Sequence, residues 1–232
     1  MIYITGDTHG VFKHVEKFCR RVGTSYEDVL IILGDAGVNY SGGIKDRIKK
    51  ELLLSLPMVF FCIHGNHEQR PNMIPTYRER MWNGGIVYVE DEYPNILFPK
   101  DGEIFQLGDK KTIVIGGAYS VDKAMRMAYG FKWWEDEQPS AEVKEYVEKQ
   151  LNDRIWEMDV VLSHTAPRKY EPEEMFMQGI DQKKVDKSTE NWLDTIENRL
   201  NYKKWYCGHY HIHKKIDKVE IMYENIDEFY HS

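Results

Sequence analysis

The feature that most constrains this chain is a short apolar run that leads directly into a polar cluster, and it occurs five times. The clusters are Gly6-Asp7-Thr8-His9-Gly10, Gly34-Asp35, Gly65-Asn66-His67-Glu68, Ser163-His164 and Gly208-His209-Tyr210-His211. In α/β folds, ligand sites form where the carboxyl ends of separate strands meet. The glycines suit such turns, because they permit backbone angles and close approaches that other residues resist. The sequence therefore predicts one shared site at the ends of five strands.

The rest of the chain alternates strand and helix patterns. Strands are predicted at Met1–Thr5, Val29–Leu33, Met58–Ile63, Ile86–Val89, Glu103–Leu107, Thr112–Ile115, Asp159–Ser163 and Lys204–Cys207, with one or two more in Lys214–Glu224. Helices are predicted at Val11–Val22, Ile44–Leu56, Ser140–Met158 and Thr189–Leu200. In the third helix Val143, Val147, Leu151 and Ile155 form one apolar stripe, which predicts core packing. The alternation predicts a layered α/β domain.

Length and composition set the broad class. A chain of 232 residues suits a single domain over 1–232, in which segment 117–139 is expected to be an insertion that faces the substrate. The three cysteines (Cys19, Cys62 and Cys207) show no CxxC spacing, so we expect small core residues in a reduced, cytoplasmic protein. No apolar run approaches the roughly 20 residues that a membrane helix needs. The net charge of -7 argues against a surface that binds nucleic acid by bulk electrostatics, but not against a nucleotide in a local site.

The clusters carry a donor set suited to metal ions. It comprises two carboxylates, four imidazoles and one amide oxygen, from Asp7, Asp35, His9, His164, His209, His211 and Asn66. Seven donors are too many for one tetrahedral ion, and the lack of thiolates argues against a structural zinc. Two divalent ions that share one carboxylate would give each a sensible coordination shell. Mn is the first expectation for both ions, with Fe, Zn, Ni or Mg as alternatives.

The ordered pattern Asp-x-His, Gly-Asp, Gly-Asn-His-Glu, His and Gly-His-x-His resembles the calcineurin-like metallophosphoesterase superfamily, in particular its unclassified bacterial and phage members. The resemblance runs from Asp7 to His211 and rests on the order of the blocks, since any one block alone is weak. It implies a four-layer α/β/β/α sandwich of two mixed sheets flanked by helices. It also implies that a hydroxide bridging two metals attacks phosphorus.

The resemblance further implies a role for each matching residue. Asp7, His9 and His211 would hold the first metal, and Asn66, His164 and His209 the second, with Asp35 bridging the two. His67 would act on the leaving oxygen, and Glu68 would support its loop from behind. The other histidines, His14, His64, His213 and His231, match no block and are expected to be structural or surface residues.

One departure from the pattern bears on the substrate. Protein phosphatases of this superfamily carry Gly-Asp-x-Val-Asp-Arg-Gly in the second block, whereas this chain has Val38 where the later Asp orients the catalytic histidine. We therefore expect hydrolysis of phosphomonoesters or phosphodiesters of nucleotides, nucleic-acid ends or small phosphorylated compounds. A serine/threonine protein phosphatase is the alternative. A non-catalytic scaffold of the same fold is disfavoured, because the donors and His67 are all present.

The insertion offers side chains for the substrate. Arg126 is a candidate for pairing with phosphate, and Trp133 or Trp134 for stacking on a base. Arg70, just beyond the third block, is a further candidate for phosphate. The alternative for both tryptophans is that they pack the insertion onto the core. The sequence predicts neither the oligomeric state nor a protein partner.

Overall fold

The computed structural model describes residues 1–230, which form two β-sheets and five α-helices. The strands are β1 Ile2–Thr5, β2 Val29–Ile32, β3 Val59–Cys62, β4 Tyr77–Trp82, β5 Gly85–Glu90, β6 Ile96–Pro99, β7 Ile104–Leu107, β8 Lys110–Ile115, β9 Val160–Ser163, β10 Lys204–Cys207, β11 Lys214–Ile216, β12 Val219–Ile221 and β13 Asp227–Glu228. The helices are α1 Lys13–Val22, α2 Ile44–Leu54, α3 Lys123–Tyr129, α4 Ala141–Asn152 and α5 Ser188–Glu197.

Both sheets have a parallel centre. The first has seven strands in the order β13-β1-β2-β3-β6-β5-β4, and β1, β2, β3 and β6 run parallel. The second has six strands in the order β11-β12-β10-β9-β8-β7, and β8, β9, β10 and β12 run parallel. The strands that precede the polar clusters are thus central and parallel, so their carboxyl ends lie at one edge of each sheet.

Three apolar clusters separate four layers. One packs α1 and α2 against the first sheet, through residues such as Phe18 and Leu53. Another fills the space between the sheets, where Ile31 and Phe61 of the first sheet meet Leu162 of the second. The third packs the second sheet against α4 and α5. The alternation of strand side chains between these clusters confirms the predicted four-layer α/β arrangement.

Several predicted elements differ from the structure. The third predicted helix ends at Asn152 instead of Met158, and Ile155 is 85% exposed with a φ of 54°, so its assignment to the core stripe is wrong. The predicted strands omitted β4, β6 and β13, and the predicted helices omitted α3. The strands in Lys214–Glu224 are β11 and β12.

The cysteines and the helix lengths bear on two smaller points. Cys19, Cys62 and Cys207 are buried and unbonded, as expected for small core residues. Within residues 1–230, no helix has the length and apolar character needed to cross a bilayer.

Candidate metal centre

The five polar clusters meet where the carboxyl-terminal edges of the two sheets adjoin. β1, β2 and β3 deliver Asp7, Asp35 and Asn66 from the first sheet. The second sheet delivers His164 after β9 and His209 after β10. The loops also bond to one another, since the amide of His9 donates to the Asp35 carbonyl at 2.8 Å and that of Gly208 to the His164 carbonyl at 2.9 Å.

One group of donors centres on Asp7. Its Oδ2 lies 3.4 Å from His211 Nε2 and 3.8 Å from His9 Nε2, and the two imidazole nitrogens are 2.8 Å apart. His9 and His211 are 34% and 47% exposed, so this group opens to solvent. Its three donor atoms lie within 4.8 Å of one another, which suits a single ion.

A second group centres on the amide oxygen of Asn66. His164 Nε2 lies 2.8 Å and His209 Nδ1 3.1 Å from Asn66 Oδ1, and His164 is fully buried. The other His164 nitrogen, Nδ1, lies 2.8 Å from the Leu33 carbonyl oxygen. A proton on Nδ1 donated to that carbonyl would leave the Nε2 lone pair facing the site, which is the usual arrangement for a metal-binding imidazole.

Asp35 lies between the two groups. Its Oδ2 is 3.9 Å from His9 Nδ1 in the first and 3.9 Å from His164 Nε2 in the second. Its Oδ1 accepts a hydrogen bond from the His67 amide at 2.8 Å, which fixes the carboxylate while leaving Oδ2 directed at the imidazoles. This is the position that a bridging carboxylate requires.

The Asp7 carboxylate tests whether the site fits a metal. Oδ1 accepts a hydrogen bond from the His209 amide at 2.8 Å, but Oδ2 is buried and has no hydrogen-bond partner in residues 1–230. Burial would raise the pKa of Asp7, yet the neighbouring His211, His164 and His9 lower it to about 2. An ionised, buried oxygen whose nearest groups are imidazole nitrogens at 3.4 and 3.8 Å is costly, and a bound cation would satisfy it.

The backbone at the site is strained. His9, Asp35, His209 and His211 have φ values of 48°, 47°, 68° and 51°, a region that side-chain-bearing residues rarely adopt. Each such residue costs about 1–3 kcal/mol, and strain of this kind concentrates at functional sites. Four of the seven predicted metal donors thus share this strained backbone region, which five residues elsewhere also adopt: Asn83, Ile155, Trp156, Asp217 and Tyr230.

Glycines allow the donor side chains to approach the neighbouring backbone. A Cβ added at Gly34, whose φ is 103°, would lie 1.9 Å from His164 Nδ1. A Cβ at Gly65 would lie 2.0 Å from Asp35 Oδ1. Neither contact is possible, so these glycines are required by the side chains packed against them.

His67 and Glu68 follow Asn66 in the same loop. Burial lowers the pKa of His67; Asp35 opposes this change and Arg126 reinforces it. Glu68 is fully buried and accepts hydrogen bonds from the amides of Gly65 and Gly37 at 3.0 and 3.3 Å. Burial and the nearby Asp35 raise the pKa of Glu68 to about 8. Glu68 therefore connects the loop after β3 to the loop after β2, behind the donors.

A cavity of about 910 Å³ adjoins the donors. Two segments, which we call the cap, form its other walls: the insertion at 117–139, which contains α3, and segment 171–187. From the insertion, Arg126 Nη2 lies 3.3 Å from His67 Nε2, while its Nε is 2.8 Å from both carboxylate oxygens of Asp122. The predicted phosphate candidate Arg126 therefore lies beside the donors, held by Asp122.

The other predicted substrate residues lie elsewhere. Trp133 donates to Glu137 at 2.7 Å and Trp134 packs edge-on against Tyr40, and neither lines the cavity. The contact of Trp134 with Tyr40 is of the kind that the packing alternative expects, whereas Trp133 bonds within the insertion itself. Arg70 pairs with Asp101 at 2.6 Å and donates to the Asp136 carbonyl at 2.7 Å, so its contacts are those of a residue that holds the insertion in place.

Segment 171–187 was not predicted to lie at the site. It contributes Met175, Phe176, Ile180 and Val185 to the cavity, and Glu190 follows at the start of α5. The only sequence signal is a run of apolar residues, Met-Phe-Met at 175–177, between short polar stretches. Tyr210, the variable position of the closing block, also lines the cavity.

The histidines outside the pattern occupy varied positions. His14 is half-buried, and His213 Nε2 lies 3.3 Å from Glu220. His64 is buried, with neither ring nitrogen hydrogen-bonded within the described residues. His231 lies outside the described residues.

Known proteins support the same assignment of fold and family. The family model for calcineurin-like phosphoesterases matches residues 1–213. The structure is similar to the crystal structure of the protein TT1561 of Thermus thermophilus, with a TM-score of 0.51, 14% identity, and coverage of 96% of this chain and 87% of that chain. At that identity the similarity shows the fold alone. No curated protein matches the sequence. Since the family model spans most of its length, the chain belongs to the calcineurin-like phosphoesterase family, a membership that implies metal-dependent hydrolysis of phosphoesters.

Proposed function

We propose that the chain is a dinuclear metallophosphoesterase that hydrolyses phosphomonoesters or phosphodiesters of nucleotides, nucleic-acid ends or small phosphorylated compounds. The observation that carries the proposal is the buried Oδ2 of Asp7, which meets no hydrogen-bond criterion within residues 1–230 and faces two imidazole nitrogens at 3.4 and 3.8 Å, at the edge of a larger donor set. A scaffold protein has no need of such an atom, since replacing it by an apolar group would remove its cost.

In this proposal, Asp7, His9 and His211 hold one ion, Asn66, His164 and His209 hold the other, and Asp35 contacts both. When bound, two divalent ions supply a nucleophilic hydroxide and neutralise charge on the phosphoryl oxygens. Mn is the first choice for both positions, and the mixed oxygen and nitrogen donors also suit Fe, Zn or Ni.

The remaining side chains act on the substrate directly. Arg126 is fixed by Asp122 and directs Nη2 towards the donors, so it can pair with a phosphate oxygen. His67 faces the same space and can give a proton to the leaving oxygen or stabilise its charge. No carboxylate occupies the position of Val38, which is buried and apolar, and the contacts of His67 Nε2 are Arg126 Nη2 and Asn66 Nδ2, both at 3.3 Å.

A serine/threonine protein phosphatase remains the second candidate, and its only support is that such enzymes also hydrolyse phosphoesters. The cap lowers its rank, because side chains of α3 and of segment 171–187 line the cavity beside the donors and leave less room for a phosphorylated loop of a folded protein. A small phosphoester meets no such obstacle.

The test is hydrolysis of p-nitrophenyl phosphate and bis-p-nitrophenyl phosphate by metal-stripped protein before and after addition of Mn. Metal content is measured in parallel by elemental mass spectrometry. We expect two ions per chain and turnover only after Mn is added. Hydrolysis of the diester would direct the substrate search to nucleic-acid ends and bridged nucleotides, and hydrolysis of the monoester alone to nucleoside monophosphates and similar esters. Bound metal without turnover of either ester would contradict the proposal.

A further inference from the structure

The cavity continues from the metal donors to a second group of buried polar side chains. Glu190 and Glu171 line it together with Tyr210, which lies between His209 and His211 in the closing block. Glu190 and Glu171 are 3% and 8% exposed. One loop therefore carries both proposed metal-binding histidines and a side chain of this second group, which fixes the spacing between the two ends of the cavity.

The two carboxylates differ in what they bind. Glu171 has charged partners on both oxygens, because Oε1 accepts from Lys187 Nζ at 2.6 Å and from the Tyr210 hydroxyl at 3.3 Å, and Oε2 forms an ion pair with Arg168 Nη1 at 2.9 Å. Glu190 accepts one hydrogen bond on Oε1, from the Thr165 hydroxyl at 2.9 Å. Its Oε2 is buried, with neither a hydrogen-bond nor an ion-pair partner in residues 1–230.

The walls around Glu190 restrict what can reach this oxygen. Phe176, Ile180 and Val185 are apolar, and Met175 and Met125 extend the apolar surface to both parts of the cap. Segment 171–187 also places the polar side chains Gln182, Asp186 and Lys187 in the lining, so the cavity accommodates a ligand with polar edges, but a polyol would leave the hydroxyl groups that face the apolar side chains without partners. A flat aromatic ring would instead pack against them, and methionine sulfur contacts with rings are favourable.

The charge of the site further limits the ring. Burial raises the pKa of Glu190 to about 7, and the ionised form above that pH only accepts hydrogen bonds, so the ring must present a donor. Lys187 already lies 4.6 Å from the centre of the Phe176 ring and pairs with Glu171, so a second cation beside it would be repelled. The group that fits is a neutral ring with an N–H donor.

Building on the proposed function, we propose that the substrate is a nucleoside phosphoester whose base carries an exocyclic amino group, which donates a hydrogen bond to Oε2 of Glu190. The phosphate lies at the metal donors and the base lies between Met175, Phe176 and Ile180. In this arrangement Glu190 determines specificity and takes no part in the chemical step.

The experiment compares adenosine with purine riboside, which lacks only the amino group, as competitive inhibitors of p-nitrophenyl ester hydrolysis. The ratio of their inhibition constants isolates that one group. At about pH 8.5, where Glu190 is ionised, we expect the wild-type protein to bind adenosine roughly tenfold or more tightly than purine riboside, as for a hydrogen bond to a charged partner. In Glu190→Met the ratio falls to within about twofold, and in Glu190→Gln it takes an intermediate value.

Asn191→Ala is the matched control, because Asn191 is the exposed neighbour of Glu190 on α5 and should leave the ratio and the turnover as they are. If Glu190→Met does not fold by circular dichroism, the ratio in Glu190→Gln decides. Equal inhibition of the wild type by both nucleosides, no inhibition by either, or an unchanged ratio in the folded Glu190 variants would overturn the proposal.

A failure of the proposed function is distinguishable from a failure of this inference. If metal-loaded protein turns over neither aryl ester, the catalytic proposal fails, and the binding ratio of the same two nucleosides is then measured by ligand-observed NMR. A ratio near one in that experiment would overturn the assignment of Glu190 as well.

Discussion

The buried strand-end donors and the cap face the same cavity but differ in how tightly their residues are packed. Asp35, Asn66 and His164 are at most 1% exposed, and backbone hydrogen bonds tie their loops together. In the cap, Met125 and Met177 are 48% and 61% exposed, and no residue of α3 is buried. Such a contrast is expected if the buried region carries out a chemistry that tolerates little displacement and the cap selects the substrate. The donors should then be sensitive to any change, and the cap should change preference at little cost in stability.

The largest expected effect is that of Asp35→Asn. Loss of the carboxylate between the two donor groups should remove metal from both positions and reduce turnover by at least about 10⁴-fold. Elemental analysis and p-nitrophenyl ester hydrolysis measure the two effects. Asp181→Asn, an exposed change in the cap, is the control. An Asp35→Asn protein that keeps both ions would contradict the expectation that the buried donors are sensitive to any change.

The next largest effect is expected for Gly34→Ala, which adds one methyl group to the buried region and changes no charge or metal donor. Because the added Cβ would lie 1.9 Å from His164 Nδ1, His164 must move, and we expect about 10³-fold lower turnover and a loss of more than about 2 kcal/mol in stability. The partner change is Gly130→Ala in the cap, where φ is also positive at 70° but nothing lies within 4 Å. Strain alone should cost that variant about 1 kcal/mol. Urea unfolding of both proteins gives the difference, and equal costs would refute the contrast between the regions.

His67→Ala should reduce turnover by about 10²-fold while both ions stay bound, because His67 acts on the leaving oxygen and is not among the proposed donors. Metal analysis before and after gel filtration distinguishes this result from that of Asp35→Asn. If the His67 variant loses metal to the same extent, the two roles have been assigned wrongly.

The smallest effect is expected for Arg126→Gln, in the cap. Removing one charged contact to phosphate should raise KM by roughly tenfold and change kcat less, with no change in unfolding free energy beyond about 1 kcal/mol. Steady-state kinetics with p-nitrophenyl phosphate provides the measurement. Gln has no charge but keeps a donor, so a variant with unaltered KM would show that Arg126 only supports α3.

The sequence predicts the buried region well, because burial leaves a pattern. The run of β2 is apolar throughout and that of β9 is apolar up to Ser163, as expected for parallel strands covered on both faces, and the polar residues that follow are easily recognised. The order of the five clusters then identifies the family. The apolar pattern does not predict which side chains contact His67, because Arg126 comes from a segment that is distant in sequence.

The exposed regions are predicted poorly, for related reasons. β4 lies at a sheet edge, and its sequence Tyr-Arg-Glu-Arg-Met-Trp lacks an apolar run. A usable signal was present, since Asn83-Gly84 with φ values of 46° and 92° is the turn that joins hairpin strands most readily. In the cap, α3 has no buried face to impose a periodic pattern. Glu190 follows no motif, and only three-dimensional packing reveals that its Oε2 is unpartnered.

His9 and His211 lie 2.8 Å apart in space and 202 residues apart in sequence. On the ribosome, the central strands of the amino-terminal sheet can assemble while the second sheet is still being made, but the three donors proposed for the first ion are complete only when the loop after β10 has emerged. A loop closure that spans most of the chain is thus the last step in building the site. In the proposed dinuclear site, an ion in the first position would therefore report that translation has reached the closing block, and a chain interrupted before residue 211 would lack one of the three donors.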